Sequence, residues 1–111
     1  MLLQGNTYEL PIQIKDPKGN IVTAHNVTKV QFVFADYEKY YGENGEVTFD
    51  EERKAFIVPL TEDETFALSG NVKWQARFLF DNGKISGTKP RFENVLSSIT
   101  QTRIGGGSNA V

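Results

Sequence analysis

The chain has no cysteine and a single histidine among its 111 residues. Without thiols there is no disulfide, no thiolate nucleophile and no zinc site built on sulfur. With His25 as the one imidazole, a transition-metal site lacks its commonest ligand. No segment approaches the roughly 20 apolar residues of a membrane-spanning helix. The opening "MLLQGNTYEL" has neither the basic region nor the apolar length of a secretion signal, so synthesis and folding in the cytoplasm are expected. Basic charge is not in surplus. Lys and Arg total 12 against 14 Asp and Glu, and the formal net charge is −2. That balance argues against nucleic acid as a partner, because phosphate neutralisation dominates such binding. There is no repeat, no interdomain linker and no heptad pattern.

Aromatic residues are plentiful instead, with eight Phe, four Tyr and one Trp. That supplies a core for one domain of ordinary size. Thr7 to Ile14 alternate, with Tyr8, Leu10, Ile12 and Ile14 on one face, which predicts a strand. Pro11 cannot donate to a ladder and places that strand at an edge or a bulge. "DPKGN", Asp16 to Asn20, is turn chemistry. "KVQFVF", Lys29 to Phe34, is a second strand, and further strands are expected at Tyr37–Tyr41, Val47–Phe49 and Lys54–Leu60. Thr61 with Glu64 forms a capping box, so a short helix begins there and stops at Ser69 and Gly70. "NVKWQARFLF" alternates again and reads as the central strand. Asn82-Gly83 suits a two-residue type I′ hairpin turn leading to strand Ile85–Thr88, and a last strand is expected at Arg91–Val95. About seven short strands with turns at such spacing predict an antiparallel β-sandwich. The helix near residues 61–68 serves as a crossover between sheets. Residues 1–96 form the domain. Residues 97–111 form a polar, Gly-rich tail or docking arm.

No coherent catalytic site emerges. His25 lies in "TAHNVT", a loop without a neighbouring nucleophile, and is read as solvated or locally hydrogen-bonded. The clusters Asp50-Glu51-Glu52 and Glu62-Asp63-Glu64 lack the spacing of a calcium loop and suit a turn and a helix N-terminus. "GKISGTK" has the wrong order for a phosphate loop. No metal or cofactor is expected. The surface candidates are Tyr37, Tyr40 and Tyr41, whose flat bodies and polar tips suit protein or sugar contacts, although tyrosine also favours strands. Ile99, Arg103 and Ile104 are the candidate contacts of the tail.

The stretches "GNTYELPIQIKDPKGN", "VTKVQFVF", "GEVTFDEERKAFIVPLTEDETFAL" and "GNVKWQARFLFDNGKISGT" together resemble small Ig-like proteins from the structural gene modules of tailed phages of Gram-positive bacteria. They are similar, more distantly, to the N-terminal sandwich of phage baseplate upper proteins. The resemblance runs from about Gly5 to Thr88 and carries no catalytic signature. It implies an Ig-like sandwich and a non-enzymatic virion protein: a capsid decoration, a head fibre, or a tail or baseplate adaptor. Its partners would be other virion proteins or further copies of itself. The alternative is a carbohydrate-binding module that contacts host cell-surface glycans through the three tyrosines.

Overall fold

The computed structural model describes residues 1–42, 44–98 and 104. Its elements, in chain order, are β1 (Leu2–Leu3), β2 (Tyr8–Ile12), β3 (Ile14–Lys15), β4 (Ile21–Val22), β5 (Val27–Phe34), β6 (Tyr37–Tyr41), β7 (Thr48–Asp50), β8 (Ala55–Leu60), α1 (Glu62–Phe66), β9 (Gly70–Phe80), β10 (Ile85–Gly87) and β11 (Arg91–Leu96). With 55% strand and 5% helix the fold is all-β.

The main sheet has six strands in the order β1-β11-β9-β5-β6, with β10 also paired to β9. β9 is its long central strand, as the "NVKWQARFLF" alternation predicts. One edge of β9 pairs with β5; the other pairs first with β11 and then with β10. A second sheet has the order β2-β8-β7, and β3 with β4 makes a two-stranded ribbon. β2 is therefore an edge strand, which accommodates Pro11. The expected strand Thr7–Ile14 is divided at Gln13: β2 joins the second sheet and β3 the ribbon. Among the described residues there are thus eleven strands in three sheets, rather than about seven in two. The extra ones are short pairings (β1, β3, β4) with too few residues to show a period of two.

Phe56 of β8 is the hub of the core between the two larger sheets. Phe32, Tyr41 and Phe49 surround it at ring-centroid distances of 5.9, 5.1 and 4.9 Å. Edge-on and tilted contacts of this kind are the favoured aromatic geometries. Val30, Val58 and Ala76 fill the space between. A second cluster of Leu2, Leu60, Leu68, Val72 and Val95 lies by the helix.

α1 connects β8 in the second sheet to β9 in the main sheet, so it is the crossover expected. Thr61 is its N-cap, and the capping box forms: Thr61 Oγ1 accepts from the Glu64 amide at 3.2 Å, and Glu64 Oε1 accepts from the Thr61 amide at 2.8 Å. The helix also clamps the N-terminal segment. Buried Thr65 accepts from the Gly5 amide at 2.9 Å and donates to the Asn6 carbonyl at 2.8 Å. Gln4 donates to the Leu68 carbonyl at 2.6 Å and accepts from the Ser98 amide at 3.2 Å. Gly5 has φ +85° and lies against the Phe66 ring, where an added Cβ would sit 2.7 Å from Cζ. Only glycine suits both constraints.

The β9–β10 hairpin differs from the predicted type I′ turn. Gly83 alone has a positive φ, +87°, and its amide donates to the Phe80 carbonyl at 2.9 Å while Phe80 donates to Lys84 at 2.8 Å. This is a three-residue loop ending in a left-handed glycine. Asn82 spends its side chain on the Lys84 amide, at 3.0 Å, and keeps a negative φ. No helix of the described residues is long and apolar enough to cross a membrane.

Candidate interaction surface

Alternation in the main sheet separates the three candidate tyrosines. In β6, Tyr37, Lys39 and Tyr41 share one face, and Glu38 and Tyr40 share the other. Tyr41 packs edge-on against Phe56, and Tyr37 packs on the Leu60–Val72 cluster. Both turn toward the core. Tyr40 stands on the outer face. The structure therefore does not bring the three together into one platform. Ile99 and Arg103 lie outside the described residues. Ile104 is exposed, and its amide donates to Glu62 Oε2 at 2.9 Å, which sets it beside the first turn of α1. Of the predicted tail, only Ser97, Ser98 and Ile104 belong to the described residues.

Around Tyr40 the outer face carries an ordered polar cluster. The Tyr40 hydroxyl donates to Glu38 Oε1 at 2.6 Å, and Gln31 Nε2 donates to the same oxygen at 2.7 Å. The Tyr40 hydrogen bond, followed by that from Gln31, holds the Glu38 carboxyl below the usual carboxylate range; Glu38 in turn pushes the Tyr40 phenol up. Lys29 Nζ lies 4.7 Å from the Tyr40 ring centroid, a cation–π contact. Lys29, Gln31 and Tyr40 line a shallow hollow of about 270 Å³ together with Arg77, Leu79 and Ile85. β5, β6, β9 and β10 supply its walls, so pairing register positions it.

The same outer face exposes apolar side chains. Phe92 is 66% exposed and Ile85 63%, and Leu3 and Leu96, paired in register, are each more than 40% exposed. Lys73 Nζ covers part of Phe92, 5.8 Å from its centroid. The predicted strand Arg91–Val95 placed Phe92 in a sheet. Its outward direction depends on which face the core occupies.

Behind β6 is an arrangement that sequence reasoning missed. Lys39 is buried, and its Nζ meets Glu64 Oε2 at 2.6 Å and Glu46 Oε1 at 3.2 Å. One carboxylate thus serves both the helix cap and the buried ammonium. Burial pushes the Glu64 carboxyl up, but the Lys39 hydrogen bond and charge and the Thr61 backbone outweigh it and leave it below the usual range. The available signal was Lys39's parity with Tyr37 and Tyr41. Its bond to Glu64 depends on tertiary structure.

His25 pairs with Glu51 at 2.8 Å on an exposed surface and so joins two loops. Asp50 accepts from the Glu52 and Arg53 amides and organises its turn. Among the described residues, no group of three or more His, Asp or Glu is placed to hold a metal ion. No protein-family model, no curated protein and no solved structure matches the chain.

Proposed function

We propose that this chain is a non-enzymatic structural or accessory protein of a tailed-phage virion, with an Ig-like sandwich that acts through protein–protein contacts. The family resemblance of its strands and helix start suggests the setting. The observation that carries the contact role is the uncovered outer face of the main sheet, with Phe92, Ile85, Leu3 and Leu96 exposed on it. Apolar side chains grouped on one face and rimmed by charge mark interaction sites. Quantitative mass spectrometry of purified particles from the source phage tests the reading. Copy numbers near that of the major capsid protein mean decoration of the head. A few to a few tens, as an order of magnitude for cyclic or dihedral assemblies, mean a tail, connector or fibre component. Absence from the particle overturns it.

A second reading, glycan binding, is favoured by the Gln31–Glu38–Tyr40 cluster, where an aromatic ring adjoins hydrogen-bonding groups. It rests on Tyr40 rather than on three tyrosines. Loss of glycan or cell binding in a folded Tyr40→Ala variant supports it; unchanged binding removes it.

A further inference from the structure

Basic charge is not evenly spread over this weakly acidic molecule. Lys15 and Lys18 of the β3–β4 ribbon face Lys84, Lys89 and Arg91 of the β10–β11 edge across two adjoining hollows of about 450 and 410 Å³. Both hollows share Asp16 and Pro17, so they form one groove. Five of the chain's 12 basic residues thus line it. None of the five has a carboxylate of the described residues within 4.0 Å. One acid, Asp16, lines the groove with them, and the acids nearest in sequence to Lys84 and Arg91 are engaged elsewhere. Asp16 accepts from the Lys18 and Asn20 amides at 2.9 Å within its own turn. Asp81 accepts from Thr28 at 2.9 Å, and Glu93 pairs with the Met1 amine at 2.5 Å.

One wall of this groove is an open strand edge. In the β9–β10 ladder, Lys84 accepts from Phe80 and Thr88 donates to Ala76, so the bonded positions fall on 84, 86 and 88. In an antiparallel pair the intervening residues direct N–H and C=O away from the partner. Ile85 and Gly87 therefore present their backbone groups to the open edge, and no described strand pairs with β10 on that side. Lysine and proline on an edge discourage self-pairing. Two copies of this edge would bring the five cations against each other, which argues against a second copy as occupant.

We propose that this groove takes an extended, acidic segment of a partner protein, which pairs with β10 as an added strand and sets its carboxylates among the five cations. Main-chain hydrogen bonds from Ile85 and Gly87 give the register, and the charges give the selection. The proposal rests on the protein-contact reading above and assigns the chemistry of one partner.

The test is an NMR titration with a short peptide alternating Glu and Val, with its Lys-for-Glu counterpart and inorganic polyphosphate as comparison probes. The Glu peptide is expected to bind, and to slow exchange of the Ile85 and Gly87 amides at least about tenfold. The double variants K84E/K89E and K15E/K18E, on opposite walls, are each expected to weaken binding about tenfold or more, while K54E on the β7–β8 turn does not. Absence of binding, equal binding of the Lys peptide, or wall variants without effect overturns the proposal. Tighter binding of polyphosphate with unchanged Ile85 and Gly87 exchange also overturns it and makes the groove a polyanion site. The titration is blind to the particle. Peptide binding by a protein absent from virions would sink the virion reading and leave the groove standing.

Discussion

Thr65 and Lys39 are polar side chains in places where burial demands partners. The Thr65 hydroxyl joins α1 to the N-terminal segment through Gly5 and Asn6. Thr65→Val keeps the shape and leaves both backbone groups without that partner. It should lower stability by about 1–3 kcal/mol, read by urea denaturation. Lys39 is held by Glu64 and Glu46. Because the folded-state pKa of Glu64 is lowered, its stabilising contribution is complete above the unfolded-state value and is lost as pH falls through the folded one. The acid limb should therefore lie below about pH 4.3. Glu64→Gln should flatten that limb and lower stability at neutral pH by about 2–4 kcal/mol, since it leaves a buried ammonium short of charge. A pH–stability profile identical to that of the parent would exclude this role.

At the scale of elements, α1 is too short to persist alone, because isolated helices of fewer than about 12 residues are marginal in water. Its cap and its contacts with Gln4, Gly5 and Asn6 hold it. Thr61→Ala should cost about 1 kcal/mol, measured by thermal or denaturant unfolding. β10 is the other informative element. In the free protein, hydrogen exchange should find the Ser86 amide protected and those of Ile85 and Gly87 fast. Slow exchange at all three would mean that something already covers this edge.

As a whole molecule, the protein places exposed apolar residues on the outer face of the main sheet and cationic ones along the groove beside the β3–β4 ribbon. The double variant Phe92→Ser with Leu96→Ser removes side chains that are 66% and 41% exposed and lie outside both core clusters, so the protein should stay folded with a loss of no more than about 1–2 kcal/mol. Its incorporation into particles, measured by quantitative mass spectrometry, should fall several-fold. Undiminished incorporation would take the outer face out of the proposed contact.

The sequence by itself determined the all-β class, the capped crossover and the central strand, because each follows from local chemistry or from a period of two. It left Pro11 at an edge or a bulge, and the sheet order chose the edge. The sequence also left the tyrosines as a group and Lys39 unremarked. The alternation of β6 separates Tyr40 from Tyr37 and Tyr41, but only the position of the core says which side is buried. Tertiary structure alone decided that Glu64 would bond Lys39, and that Lys15 and Lys18 would face Lys84, Lys89 and Arg91. Those residues are far apart in the chain, and the packing of the helix and the ribbon against the main sheet, not pairing within a sheet, sets their proximity. No spacing rule encodes it.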